Sequence, residues 1–163
     1  MGLRTPAYAG MGLLVCWLLL VMAISDIKYM IVPDQLVLLL LLSGMGFIPF
    51  QLDKPTDGII GAAIGLGIML LIGILGKIIY KKPTLGGADI KLYTAMGLVV
   101  GYKGILTIFV LMTIIMAVHI MIEVLMGKVK KDDYRPMVPY LAIAATIYIV
   151  ILREIGYNIM MVL

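Results

Sequence analysis

The chain has 163 residues, 63% hydrophobic and 13% charged, with a mean hydropathy of +1.15 and a formal net charge of +4. Soluble domains are about half apolar, so this composition excludes them, and at ~20 residues per span about six membrane spans fill the length without room for a separate soluble domain. The expectation is an all-α, polytopic membrane protein forming one unit over residues 1–163, whose basic excess lies in short loops and reads as a topology signal rather than a nucleic-acid surface.

Spans are predicted at about 8–24, 36–50, 59–79, 90–100, 105–126 and 137–152. The first is just long enough to cross hydrocarbon and holds the single cysteine, Cys16, so neither a disulfide framework nor a cysteine-based zinc site can form within one chain. A secretory signal ending at Ala23-Ile24-Ser25 is the rival reading; it wants a positive, cytoplasmic start, which the charge distribution below opposes. Residues 26–35 are a polar connector in which Pro33-Asp34 marks a helix start, proline being tolerated and an acid favoured in the first turn. The third span carries Gly61, Gly65, Gly67, Gly73 and Gly76, read as packing residues, and Gly61 and Gly65 have the small-xxx-small spacing. Residues 80–88 form a loop punctuated by Pro83, Gly86 and Gly87 that ends at Asp89. The fourth span is too short to cross alone: either neighbours shield it in a thinned region, or Asp89 lies below the surface as part of the span. Residues 127–135 are the most charged loop, and an apolar tail, 155–163, follows Arg153-Glu154.

Six spans place alternate loops on opposite sides. Arg4, Lys54, Lys103 and Arg153 fall on one side and the other nine of the 13 Lys and Arg residues on the second. Positive residues favour the cytoplasm, so the second side is expected inside and both termini outside. Asp26-Ile27-Lys28 and Asp89-Ile90-Lys91 then share the cytoplasmic side.

A carboxylate at the edge of hydrocarbon is costly and asks for a reason. For a single acid, capping a helix or pairing with Lys28 or Lys91 would suffice. Two acids on one side permit more: held close, they share a proton and titrate as a coupled unit, so that one accepts a proton from water while the other donates to a carbonyl oxygen. That is aspartic-protease chemistry, which needs no metal, cofactor or nucleophilic side chain. The glycines before Asp89 suit it, since backbone without Cβ can approach a substrate and take dihedrals other residues avoid.

Three segments resemble the type IV prepilin leader peptidases, a family of the GxGD class of intramembrane aspartic proteases. Asp26-Ile27-Lys28-Tyr29-Met30-Ile31-Val32-Pro33-Asp34 is similar to the family's first acidic motif, Gly86-Gly87-Ala88-Asp89-Ile90-Lys91-Leu92 to its second, and Pro136-Met137-Val138-Pro139-Tyr140-Leu141-Ala142, more weakly, to the proline-rich start of its last core span. They stand in the family's order and cover most of the chain. The resemblance implies a catalytic pair, Asp26 and Asp89, acting on a prepilin or pseudopilin whose basic leader is cut on the cytoplasmic side, with Gly86, Gly87, Ala88 and Lys91 binding substrate or supporting the site. Asp34 is read as a helix cap, because the family also accepts asparagine there. Two departures stand out. Ala88 replaces the second glycine of the GxGD pattern, and the paired-cysteine extension that accompanies methylation in bifunctional members is not in this sequence, so the expectation is the short, peptidase-only form.

Outside those motifs, His119 and Glu123 share one helix face and are read as a structural interhelical contact, with Lys128 in reach of Glu123; support of the site is the alternative. Lys28 and Lys91, each two residues from its acid, are read as interfacial anchors. Asp132 and Asp133 are read as solvated loop acids. Other functions stay open at this stage: a small ion- or proton-coupled transporter using the same acids, a non-catalytic assembly component, and a presenilin-like protease. Besides a pilin precursor and the lipid bilayer, the sequence names no partner and no oligomeric state.

Overall fold

In hydrocarbon no water pairs with backbone polar groups, so apolar runs of this kind satisfy themselves as helices. The computed structural model describes residues 6–48, 56–81, 85–127 and 135–152, and nearly all of them are helical. Helix α1 spans Pro6–Tyr29, α2 Asp34–Phe47, α3 Asp57–Tyr80, α4 Gly87–Leu125 and α5 Val138–Ile147, which continues as a π-helical turn, Tyr148–Leu152. Among the described residues, three helices are long and apolar enough to cross a membrane, Tyr8–Tyr29, Asp57–Tyr80 and Gly87–Leu125, the last of them bent at Gly101. Helix α1 ends where Met30 enters the left-handed region at φ 52°, its N–H bonded to the Asp26 carbonyl. Asp26 therefore belongs to the last turns of a helix rather than to a connector. Asp89 likewise belongs to the first turn of α4 rather than to the end of a loop.

Helix α4 is two helical limbs joined at Gly101. Gly101 breaks it with φ 77° and ψ 179°, a conformation that L side chains rarely adopt. The limbs 87–100 and 102–125 fold back on each other, since the rings of Tyr93 and Phe109 stand edge to face with centroids 6.3 Å apart, whereas the same stretch of straight helix would part them by about 24 Å. The expected fourth and fifth spans are these two limbs.

Glycines set how α3 meets α4. A Cβ on Gly61 would stand 2.4 Å from the Gly97 carbonyl oxygen, one on Gly97 would stand 2.3 Å from that of Gly61, and one on Gly65 would stand 2.8 Å from that of Tyr93. Backbone thus touches backbone along the first limb of α4, the close approach that small residues permit between membrane helices. Packing does not explain all five glycines of α3, however. A Cβ on Gly67 would meet nothing within 4 Å, and one on Gly73 would make only ordinary contact with Leu85.

The core lies between these helices: Val15, Leu19 and Met22 of α1, Leu40 and Phe47 of α2, Met69 of α3, Met96, Val99, Ile105 and Ile108 of α4, and Leu141 and Ala144 of α5 are buried together. The outward faces are just as apolar, with Trp17 62% and Ile78 67% exposed, and in a membrane protein lipid covers them. The charged tripeptides, the start of α4 and the start of α5 gather at one end of the bundle. The buried Asp57 and the turn at Gly101, whose Cβ would lie 3.6 Å from that of Asp57, mark the other.

Gly97→Ala is expected to force α3 and α4 apart and destabilise the fold by about 1–3 kcal/mol, while Gly67→Ala is neutral or slightly stabilising. Thermal unfolding of both variants in detergent checks this.

Candidate active site

The charged end of the bundle is built around a buried carboxylate. Asp26 is 7% exposed, and its Oδ2 accepts a hydrogen bond of 3.0 Å from the backbone N–H of Val138, the first residue of α5. The first N–H groups of a helix have no partner within it and carry the positive end of its dipole, so a carboxylate there meets both needs. The sequence sharpens this arrangement, because Pro139 follows Val138 and has no N–H of its own. The third sequence motif thus contributes a backbone donor, which a search for reactive side chains does not register.

Asp89 reaches the same place from α4. Gly86 caps that helix, and the Asp89 carboxylate turns back toward it, the reach a capping-box acid makes from the third helical position. A Cβ on Gly86 would stand 3.1 Å from Asp89 Oδ2, so this glycine leaves the carboxylate its space. The Asp26 carboxylate is within electrostatic reach of Asp89. Val138 donates to Asp26 and, with Asp89, Leu92, Tyr93, Met112, Met137 and Leu141, lines a narrow cleft.

The remaining residues of the second motif fall into place differently from expectation. None of residues 86–88 has positive φ, so unusual backbone dihedrals are not the reason for the glycines. Ala88 sits in ordinary helical backbone, partly buried against the core, and its departure from the GxGD pattern introduces no strain. Gly87 faces open space. Lys91 does more than anchor: its Nζ lies 3.0 Å from both carboxylate oxygens of Asp34. Asp34 in turn is not a cap. Pro33 holds the N-cap position of α2 and Asp34 is the first helical residue, its side chain turned to Lys91. This pair ties the start of α2 to the start of α4 beside the two acids. Lys28 is exposed.

A second polar cluster holds the start of α5. Glu123 of α4 forms an ion pair with Arg135, just ahead of the helix, and the Tyr140 hydroxyl is hydrogen-bonded at 2.6 Å to His119 Nδ1. His119 Nε2 is 4.0 Å from Glu123 Oε1. These contacts lie on either side of Val138 in the sequence and tie the start of α5 to α4. The expected interhelical role of His119 and Glu123 is what the structure shows, with Arg135 as the partner; Lys128, Asp132, Asp133 and the tail 155–163 lie outside the described residues. Among the described residues no group of His, Cys, Asp and Glu could hold a metal ion.

Known proteins resemble the chain along most of its length. The sequence signature of the type IV leader peptidase family matches residues 13–121. A prepilin leader peptidase/N-methyltransferase of Bacillus subtilis (strain 168) is 30% identical over 133 residues, 77% of this chain and 49% of that protein. Proteins of the same name from Stutzerimonas stutzeri and Pseudomonas aeruginosa are 32% and 31% identical, over 83% and 85% of this chain and 47% and 48% of their own lengths. The chain therefore spans about half the length of these curated relatives. No solved structure shows significant similarity to it.

Because Asp34 and Lys91 are both exposed, their pair should couple weakly, by ~0.2–1 kcal/mol. A double-mutant cycle with Asp34→Asn and Lys91→Met, read by unfolding, is expected to give that coupling; a capping role for Asp34 gives none.

Proposed function

The chain belongs to the type IV leader peptidase family, and from that premise we propose that it is an aspartic endopeptidase, with Asp26 and Asp89 as its catalytic pair. The observation that carries this reading is that two carboxylates, from the last turns of α1 and the first turn of α4, meet the start of α5 at one end of the bundle, Asp26 accepting the Val138 N–H and Asp89 lining a cleft with Val138. The pair holds one proton between them. The ionised member takes a proton from water as the water oxygen bonds to the scissile carbonyl carbon, and the protonated member gives its proton to the carbonyl oxygen. When the tetrahedral intermediate collapses, the C–N bond breaks, the leaving amine takes the proton that came from water, and one hydroxyl of the intermediate returns its proton to the other carboxylate as the new carboxyl group forms, so the pair again holds one proton.

The names of the relatives support a prepilin as substrate, and the motif resemblance extends this to a pseudopilin and to a cut between a basic leader and a hydrophobic helix. The cleft supports such a substrate, since its walls are Leu92, Met112, Met137 and Leu141 and its closed state requires those side chains to part. Methionine, unbranched and flexible, suits a wall that must move. We place the site at the cytoplasmic face of a six-span bundle with both termini outside. Among the described residues, Lys28, Lys77, Lys81, Lys91 and Arg135 lie toward the acids' end and Lys103 toward the other, the asymmetry that favours that end inside.

Asp26→Asn and Asp89→Asn keep a side-chain oxygen acceptor and are expected to remain folded in detergent. Each should lower cleavage of a prepilin by at least ~10²-fold, the scale of a lost general acid or base. Wild-type activity in either variant sinks the pair. Gly86→Ala, which crowds the Asp89 carboxylate, should cost about 3- to 10-fold, while Gly87→Ala, in open space, should leave cleavage unchanged.

A further inference from the structure

One buried polar group on a residue that lines the cleft is left over once the two acids have their roles. Tyr93 is 1% exposed, and its hydroxyl has no hydrogen-bond partner among the described residues. Buried hydroxyls are nearly always paired, and one that is not raises the free energy of the closed state. Leucine or phenylalanine would fill the same space without that cost, so the hydroxyl needs another explanation.

Its position supplies one. Tyr93 stands four residues after Asp89, hence on the same face of α4, and both line the cleft with Val138. The residue is also firmly held. Its backbone carbonyl rests against Gly65 of α3, and its ring meets Phe109 of the other limb edge to face. A rigid donor that is unpaired while the cleft is closed can gain a partner only from what enters when the cleft opens. Peptide substrates in an extended form present main-chain carbonyl oxygens, which are acceptors without donors beside them in an apolar cleft.

We propose that Tyr93 is a substrate-binding residue whose hydroxyl donates a hydrogen bond to a main-chain carbonyl oxygen of the peptide lying beside Asp89. This rests on the peptidase reading and deepens it by naming a residue that holds the chain being cut. Because the bond forms with bound substrate and persists through the reaction, it strengthens ground and transition states alike. Its loss therefore falls on KM rather than kcat.

Tyr93→Phe tests this by removing one oxygen and no volume. With a prepilin substrate, kcat/KM is expected to fall about 3- to 10-fold, the scale of one neutral hydrogen bond, through a higher KM with kcat little changed. The thermal midpoint of the substrate-free protein should hold or rise, because the variant buries no unpaired hydroxyl. A lower midpoint would reveal a structural partner and overturn the proposal. So would unchanged kcat/KM in an enzyme whose wild type cleaves prepilin. A wild type that cleaves none overturns the peptidase reading itself, and the inference about Tyr93 with it, whereas the other two outcomes leave the peptidase reading standing.

Discussion

The hydrogen bond from the Val138 N–H to Asp26 is the contact on which the charged end of the bundle depends. A carboxylate buried at 7% exposure needs donors, and a helix that starts inside a bundle needs acceptors. Each meets the requirement of the other, so the end of α1 and the start of α5 are placed together by a mutual need rather than by shape alone. The Glu123–Arg135 pair and the His119–Tyr140 contact then hold α5 from the side of α4, and the Lys91–Asp34 pair holds α2 to α4. All four contacts lie at the end where Asp89 enters.

Asp89 is delivered by a different kind of constraint. The first limb of α4 lies on α3 with Gly61, Gly65 and Gly97 allowing backbone to touch backbone, and Gly101 turns the chain so that the second limb returns alongside. Steric contact of this sort is stiff, because no side chain can yield. The result is a carboxylate whose height along the bundle is set by glycines well away from it. Polar bonding positions one acid and close packing positions the other.

Much of the architecture was legible in the sequence. Hydrophobic runs marked the helices of the described residues, and the alternation of sides together with the charge count put Asp26 and Asp89 at one end. What stayed hidden has physical reasons. The Val138 donor is a backbone group, invisible to any pattern of side chains. Asp34 and Lys91 pair across 57 positions, and local rules offered capping for one and anchoring for the other. The glycines of the second motif suggested unusual dihedrals, but the structure uses Gly86 for the space it leaves beside Asp89, a property of the fold rather than of the residue. Tyr93 lies inside the run 90–100 with nothing in the sequence to single it out, and its buried, unpaired hydroxyl sets it apart.

The most direct measurement is an experimental structure, in lipid, of the Asp26→Asn protein with a prepilin peptide bound. A peptide backbone passing between residues 26 and 89, with its scissile carbonyl facing both side chains and the Val138 N–H still bonded to residue 26, is the expected result. A peptide seated elsewhere on the bundle, or side chains at 26 and 89 on surfaces that no one peptide bond can touch, would contradict it.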